Sequence, residues 1–327
     1  MSIGTVTLNN GMEMPLIGLG TLQAQAGEAF AAALAAGYRH IDCAPVYGNE
    51  KEIGDALAAA FADGLKREEV LISSKLWNSE HAPEHVEAAC RQTMADLQLT
   101  YLDLYVIHWP QQFEKVAGTH KGFPRNEDQS IRYARIPHTD TWAAMEKLVD
   151  AGLVRAIGLS NFNAVQVAAV HASARIKPVC NQCESHPCLT QEPLIAACDA
   201  LRVKLTAYSP LGNGQSMGGV TIFENPTLKE IGARLGASAA AVAIAFQTTR
   251  RIPTFPKSVT PERIAANLAA GSITLAAADM AAIGAMNCNR RGSWGGPKVE
   301  RGDVMEPRDF LHPDYPWNSD GTEKTTL

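Results

Sequence analysis

Residues 70 to 109 read VLISSKLWNSEHAPEHVEAACRQTMADLQLTYLDLYVIHW, and this stretch decides the fold. Two short apolar runs, Val70 to Lys75 and Leu102 to His108, have the length and composition of buried strands. The segment between them, Pro83 to Leu97, has helical spacing and a proline in its first turn. A strand, a helix and a second strand in this order predict a βαβ unit with parallel strands.

The same alternation continues on both sides of this unit, after an N-terminal β-hairpin with the turn Asn10-Gly11. The eight predicted strands are Leu16 to Gly20, Arg39 to Cys43, Val70 to Lys75, Leu102 to His108, Val154 to Leu159, Pro178 to Gln182, Lys204 to Tyr208 and Ile252 to Phe255. Eight strand-then-helix units predict an α/β fold, a (β/α)8 TIM barrel that forms a single domain over residues 1–327. A doubly wound dinucleotide-binding fold is the alternative, but Gly18-Leu19-Gly20-Thr21 lacks the third glycine of its phosphate-binding turn.

Two segments without a regular pattern are long enough to matter for function: the loop from Trp109 to about His138, and a long C-terminal loop from Asn287 to Leu327. In a barrel, the loops that follow the strands lie on the catalytic face.

Composition excludes several classes of protein. The chain has 327 residues and a net charge of −5, so it carries no excess of basic residues for nucleic acid. Seven cysteines, an odd number spread over a long chain, indicate a reducing compartment rather than a disulfide framework. The N-terminus lacks the pattern of a signal peptide, and no run of eighteen apolar residues occurs. We therefore expect a soluble, cytoplasmic protein without nucleic-acid or membrane partners. A monomer is a separate expectation, which the composition does not test.

Four polar residues lie at or just beyond the ends of successive predicted strands: Asp42, Tyr47, Lys75 and His108. Each alone has an ordinary structural explanation, but strand-end polar residues at one mouth of a barrel are typical of a catalytic site. An ammonium group next to a phenol favours the phenolate, and a carboxylate holds the ammonium in place. A histidine beside the phenol can orient a carbonyl oxygen. The four groups could together protonate an oxyanion while hydride arrives at carbon.

Several motifs that contain or flank these residues identify a family. They are Gly37-Tyr38-Arg39-His40-Ile41-Asp42, Val46-Tyr47-Gly48-Asn49-Glu50, Ile72 to Trp77, Leu102 to Pro110, Gly158-Leu159-Ser160-Asn161-Phe162, Tyr208 to Gly212 and Pro256 to Ile264. In this order and over nearly the whole chain, they resemble the signature of the aldo-keto reductases. The tail, Pro307-Arg308-Asp309 followed by His312-Pro313-Asp314-Tyr315-Pro316, resembles the aldehyde reductases (NADP-dependent alcohol dehydrogenases) within that family.

The resemblance implies roles for the four polar residues: Tyr47 is the general acid, Lys75 lowers its pKa, Asp42 pairs with Lys75, and His108 orients the substrate carbonyl. It also implies a cofactor site at the same mouth. Ser160, Asn161 and Gln182 would hydrogen bond the nicotinamide carboxamide, and Tyr208 would stack on its ring. Thr21 and the segment from Ser209 through Leu211 to Gly212 would lie along the ribose and pyrophosphate.

The segment after the eighth strand predicts which cofactor binds. A barrel commonly binds phosphate at the N-terminus of a helix after strands seven and eight, where free N–H groups attract an anion. Lys257 and Arg263 flank such a terminus and suit a ribose 2′-phosphate, so we expect NADPH rather than NADH. By resemblance, Ser258, Val259 and Asn267 belong to this site, with Asn267 on the adenine side.

The substrate pocket is expected to have aromatic walls from Trp77, Trp109 and Phe113. Leu22 stands where many relatives have a tryptophan, so one side of the pocket should be wider. Arg308 can pair with a carboxylate in a two-pronged geometry, which predicts a preference for acidic aldehydes such as glucuronate. The alternative is that Arg308 pairs with a neighbouring acidic residue, and Arg290 and Arg291 are competing cations in the tail.

The resulting hypothesis is an NADPH-dependent aldehyde reductase that reduces aldehydes reversibly, without a metal. One alternative is an aldose or xylose reductase for neutral sugars, and another is a non-catalytic barrel, such as a channel subunit or crystallin, that retains the cofactor. Two patterns that resemble zinc motifs, around His81 to His85 and around Cys180 to Cys188, are unsuited to a metal. Pro83 places His81 outside the helix, and Cys180 and Cys183 point to opposite faces of a strand.

Overall fold

The computed structural model describes residues 4–22, 27–214, 220–293, 298–301, 304–318 and 322–325. Its central feature is a sheet of eight parallel strands that follow one another in chain order. After the hairpin strands β1 (Thr5–Thr7) and β2 (Glu13–Pro15), these strands are β3 (Leu19–Gly20), β4 (His40–Asp42), β5 (Leu71–Leu76), β6 (Leu102–Ile107), β7 (Val154–Ser160), β8 (Cys180–Glu184), β9 (Lys204–Tyr208) and β10 (Thr254–Phe255).

The sheet closes on itself between its first and last strands. Ile17 forms a parallel bridge with Thr254, and the Gly20 N–H donates to the Pro256 carbonyl at 3.2 Å. A Cβ atom on Gly20 would lie only 2.7 Å from the Phe255 carbonyl oxygen, so glycine is what permits this approach. The expected (β/α)8 barrel is confirmed, with end strands shorter than expected.

Ten helices in the described residues surround the barrel or follow it. They are α1 (Gly27–Ala36), α2 (Glu50–Ala62), α3 (Pro83–Asp96), α4 (His138–Asp150), α5 (Ala164–Ser173), α6 (Glu192–Ala200), α7 (Pro226–Leu235), α8 (Ala239–Thr249), α9 (Pro261–Ala269) and α10 (Ala277–Gly284). Because the strands are covered on both faces, nearly every residue of β4 to β8 is buried. The hairpin β1–β2 packs Val6, Leu8 and Met14 against side chains of β5 and β6.

Two further differences from the expectation bear on the site and on the C-terminal loop. The sixth barrel strand runs from Cys180 to Glu184 and not from Pro178, because proline has no N–H to donate to a ladder. Gln182 is therefore inside this strand, and Glu184 is at its end. The expected C-terminal loop contains a two-stranded antiparallel hairpin, β11 (Lys298–Arg301) and β12 (Val304–Pro307), so it is not irregular throughout.

Within the part of the chain that the structure describes, no single helix has the length and apolar composition of a membrane span. The two helices α7 and α8, which are bent by 87° relative to each other, have that length and composition only when they are taken together.

Candidate active site

A buried ion pair lies at the carboxyl-terminal end of the barrel strands. The Lys75 ammonium, near the end of β5, donates to Asp42 Oδ2 at 2.7 Å and to the Cys43 carbonyl at 2.8 Å. Asp42 is the last residue of β4, and both side chains are almost completely buried. Burial by itself lowers the pKa of Lys75, but the Asp42 carboxylate and the Tyr47 phenol more than offset this, so that the pKa is raised. Lys75 therefore stays positively charged.

The second oxygen of the Asp42 carboxylate is also fully engaged. Asp42 Oδ1 accepts hydrogen bonds from Ser73 Oγ at 3.0 Å and from Gln182 Nε2 at 2.9 Å. Ser73 Oγ in turn lies 2.9 Å from His40 Nε2. These bonds fix the carboxylate, and the carboxylate fixes the ammonium group above it.

Tyr47 lies against this ion pair. It ends a short 3-10 helix, Pro45–Tyr47, and it is half-buried. The Lys75 ammonium is 5.1 Å from the centre of its ring. Burial raises the pKa of Tyr47, while the Lys75 ammonium lowers it. The lowering by Lys75 is as expected, but burial is the larger effect, so the net shift in this structure is upward.

His108 faces Tyr47 across the pocket. It directly follows β6, its ring centre is 5.9 Å from that of Tyr47, and it contacts Trp77 edge-on at 5.3 Å. Burial lowers the pKa of His108 well below its usual value, and the Lys75 charge adds to this. The imidazole is therefore neutral at pH 7, where one of its ring nitrogens carries a proton that it can donate.

The residues expected around the nicotinamide form a hydrogen-bonded chain along the same mouth. The Asn161 amide donates to the His108 carbonyl at 2.9 Å, and Asn161 Oδ1 accepts from the Tyr208 hydroxyl at 2.8 Å. Ser160 Oγ donates to the Gln182 carbonyl at 2.8 Å. Asn161 has a φ of 64°, a left-handed conformation that asparagine tolerates better than most residues. The arrangement joins these residues to the Asp42 carboxylate through Gln182.

The residues expected along the ribose and pyrophosphate lie in two places beside this chain. Thr21, fully buried, donates to the Asp42 carbonyl at 2.8 Å. Ser209 follows β9 with a φ of 50°, and its hydroxyl donates to Asn213 Oδ1 at 2.7 Å. Leu211 is half-buried against the core.

The segment after β10 leads into the N-terminus of α9, as expected. Thr260 precedes this helix without a side-chain cap, and Pro261 is in its first turn. Lys257, Val259 and Arg263 are exposed, whereas Ser258 and Asn267 are buried. Within the described residues, neither Lys257 nor Arg263 forms an ion pair.

The expected aromatic wall is present and larger than the sequence indicated. Trp77, Trp109 and Phe113 are buried in one cluster. Phe123 joins it with its ring centre 5.0 Å from that of Trp77, and it is 39% exposed. The only sequence signal for Phe123 was an aromatic residue in the long loop after β6. Leu22 is 48% exposed.

Arg308 lies next to this wall, 5.5 Å from the ring centre of Phe113. Its Nε and Nη2 groups donate to the two carboxylate oxygens of Asp309, both at 2.6 Å, and the Tyr133 hydroxyl donates to Asp309 Oδ1. The two-pronged face expected to receive a substrate carboxylate thus holds Asp309 in this structure. Of the competing tail cations, Arg291 is buried against the Trp317 ring at 3.6 Å, and Arg290 is exposed.

Comparisons with known proteins show the family to which the chain is similar. The model of the "Aldo/keto reductase family" matches residues 1–287. Aldo-keto reductase family 1 member A1 of Gallus gallus is 44% identical over 322 residues, which are 96% of this chain and 97% of that protein. The Mus musculus protein of the same name is 43% identical over 327 residues, which are 97% and 99% of the two chains.

The solved structures include a similar fold. The aldose reductase from Schistosoma japonicum superposes with a TM-score of 0.87 at 37% identity, over 98% of this chain and 99% of that one. Sequence family, nearly complete coverage and fold all agree, and the chain therefore belongs to the aldo/keto reductase family and is an oxidoreductase.

Proposed function

We propose that this enzyme reduces aldehydes to primary alcohols with NADPH, and that it also catalyses the reverse oxidation. The observation that carries the proposal is the buried Asp42–Lys75 ion pair placed against the Tyr47 phenol, with neutral His108 facing it. In this arrangement the Tyr47 oxygen atom carries a proton beside the ion pair. The neutral imidazole of His108 lies opposite, where it can donate a hydrogen bond that positions a carbonyl.

The residues present fit NADPH. The N-terminus of α9 lacks a side-chain cap, so its N–H groups remain available to an anion. Lys257 and Arg263 bring two positive charges to that end and have no acidic partner in the described part of the chain. Both features suit the 2′-phosphate that distinguishes NADPH from NADH. Ser258 and Val259 belong to the same segment, and Asn267 lies one helical turn beyond Arg263.

When bound, NADPH supplies a hydride from the nicotinamide ring to the carbonyl carbon. The protein manages the oxygen atom. His108 and Tyr47 donate hydrogen bonds that orient the carbonyl, and the Tyr47 phenol gives up its proton as negative charge develops there. An alkoxide is far more basic than a phenolate, so the raised pKa of Tyr47 does not prevent this transfer. Lys75, held by Asp42, stabilises the phenolate that remains.

The substrate pocket proposed here has Trp77, Trp109 and Phe113 as walls and an open side at Leu22. Arg308 is the proposed source of a preference for carboxylated aldehydes such as glucuronate. Because Asp309 already occupies its two-pronged face, an acidic substrate must compete with or share that contact. The same pairing favours a second candidate, an aldose or xylose reductase that acts mainly on neutral sugars.

We further propose that the chain works as a single-domain, cytoplasmic monomer. All seven cysteines are free, and six of them are buried, which suits a reducing compartment.

Turnover with purified protein tests the proposal. Absorbance of the reduced cofactor should fall when NADPH is mixed with small aldehydes, more readily than with NADH, and should rise with the matching alcohol and NADP+. Glucuronate compared with a neutral sugar of similar size separates the two substrate classes. NADPH binding without turnover over a broad aldehyde panel would instead favour the non-catalytic barrel.

A further inference from the structure

A second cluster of potential ligand atoms lies outside the reaction site, between two helices and the long loop after β6. Glu50 begins α2, Asp96 ends α3, and His120 belongs to the loop. One ligand atom from each of the three residues lies within 4.8 Å of the others. Three segments far apart in sequence thus direct N and O donors to one point.

Close helix packing brings the two carboxylates together. Gly54, one turn after Glu50 on α2, faces the end of α3 so closely that a Cβ atom would lie 2.5 Å from the Asp96 carbonyl oxygen. Glu50 Oε1 accepts from Ser74 Oγ at 2.6 Å and Glu50 Oε2 accepts from Thr93 Oγ1 at 3.3 Å, while Asp96 Oδ1 accepts from the Gln92 amide at 3.0 Å. These bonds orient both carboxylates and leave lone pairs for a further ligand.

The location disfavours negative charge: burial, together with the nearby Asp96 carboxylate, raises the pKa of Glu50 to about 7. Asp96 is at the C-terminus of α3, where the helix dipole already disfavours negative charge. Glu50 is buried beside it. In the described residues, neither carboxylate forms an ion pair with a lysine or an arginine. A buried carboxylate without a cation is costly, and a bound cation would remove that cost.

His120 supplies an observation of a different kind. Its Nε2 atom is buried and has no hydrogen-bond partner in the part of the chain that the structure describes. The nearest carboxylate oxygen, Asp96 Oδ2, is 3.8 Å away, which is too far for a hydrogen bond but compatible with two ligands of one metal ion after a small contraction. Buried, unpaired polar atoms in a folded protein call for a ligand or a water molecule.

We propose that Glu50, Asp96 and His120 bind a divalent transition-metal ion of the zinc class. An imidazole nitrogen and two carboxylate oxygens are ligands that Zn²⁺ accepts, with water in the fourth position. The nitrogen ligand favours zinc over Mg²⁺ and Ca²⁺, which prefer oxygen ligands alone. The ion takes no part in the proposed hydride transfer.

The site would fix the loop that forms one side of the substrate pocket. His120 is two residues before Gly122, whose carbonyl accepts a hydrogen bond from Trp77 Nε1 at 2.9 Å. Trp77 contacts His108 edge-on. An ion that ties His120 to α2 and α3 therefore stabilises the loop at the point where the loop holds the aromatic wall.

Calorimetric titration with ZnCl2 tests the site directly. The full-length protein carries Cys288→Ser, which removes the exposed thiol as a competing ligand, and is first dialysed against a chelator. We expect one ion per chain. His120→Ala and Asp96→Asn, made in that background, should each weaken binding by at least about tenfold, as even supporting residues of metal sites do. His171→Ala, which removes a histidine from α5, is the matched control and should leave binding unchanged.

Thermal unfolding provides a second measurement. Because the ion binds the folded state only, Zn²⁺ should raise the Tm of the parent protein and of His171→Ala, and at the same Zn²⁺ concentration it should raise that of His120→Ala much less. Three results would overturn the proposal: no bound ion, equal Zn²⁺ affinity in the parent and the His120→Ala variant, or equal affinity for Zn²⁺ and Ca²⁺, which would give histidine no role.

Discussion

Two clusters of charged side chains lie at the same mouth of the barrel and differ in almost every physical respect. Asp42 and Lys75 lie near the ends of neighbouring strands and are buried, and both the carboxylate and the ammonium group have hydrogen-bond partners in the protein. Lys257 and Arg263 lie on a loop and on the first turns of α9, are exposed, and have no ionic partner within the described residues. The first cluster is organised before any ligand arrives, so changes there should affect both folding and chemistry. Changes in the second cluster should affect only cofactor binding.

The largest expected effect is at Tyr47, the proposed proton donor beside the first cluster. Tyr47→Phe keeps the ring and removes the proton, so kcat for aldehyde reduction should fall by about 10²–10⁴, the usual contribution of a general acid. NADPH affinity, measured by fluorescence titration, should stay within about twofold. A variant with a near-normal rate would show that another group supplies the proton.

Loss of the buried ammonium should reduce stability as well as activity. Lys75→Met leaves the Asp42 carboxylate buried without a compensating cation, and the free energy of unfolding should fall by about 3–5 kcal/mol. Urea denaturation measures this change. Adding Asp42→Asn to the same chain should recover much of the stability and none of the activity. If the single variant were as stable as the parent, the ion pair would not have the structural role given to it here.

Changes in the second cluster should leave stability alone. Lys257→Ala and Arg263→Ala should each weaken NADPH binding by about ten- to a hundredfold, which corresponds to a charge-assisted contact of about 1.5–3 kcal/mol. NADH affinity and the urea midpoint should remain close to those of the parent. Equal losses for both cofactors would mean that these residues do not contact the 2′-phosphate.

Acid should destabilise the protein at His40, which lies beside the first cluster and contacts it through Ser73. Burial lowers the pKa of His40 from 6.5 to about 4, so the unfolded chain takes up this proton first. The stabilisation is complete above pH 6.5 and is lost as the pH falls through 4, with about 2 kcal/mol gone by pH 5. In His40→Gln, the difference in free energy of unfolding between pH 7.5 and pH 5 should shrink by that amount. An unchanged difference would argue that His40 is not buried in its neutral form.

The smallest expected effect concerns Arg308. Like the first cluster it is buried, and like the second it is proposed to bind a negatively charged group of a ligand. Because it is already paired with Asp309, Arg308→Ala should lower kcat/KM for glucuronate by about tenfold or less, about 1.4 kcal/mol. An uncharged aldehyde of similar size should be affected less. Equal, small changes on both substrates would make the pair structural and favour neutral substrates.

Much of the fold could be predicted from sequence because each βα unit carries its own signals. The strand Lys204–Tyr208 was predicted with the bounds that the structure has, and helices such as Pro83–Asp96 begin at a proline as expected. The strand expected from Pro178 was displaced because pairing in the ladder, and not apolar character, sets where a strand begins. The sequence carried no comparable local signal for the hairpin of β11 and β12.

The four residues expected at the reaction site lie together because the rule that selects them is local: a polar residue where a parallel strand ends. What lies around them is not local. The approach of Phe123 to Trp77, and of the Tyr133 hydroxyl to Asp309, depends on the path of long loops. So does the convergence of His120 on Glu50 and Asp96.

The sequence by itself determined the eight-fold alternation, the family and the strand-end positions of Asp42, Lys75 and His108, because these follow from short-range periodicity and motif spacing. Tertiary structure alone decided the net direction of the Tyr47 pKa, since burial by distant segments outweighs the neighbouring ammonium. It also decided which charges are paired and which stay exposed. Electrostatic energies depend on distance and solvent exposure in three dimensions, and sequence separation fixes neither.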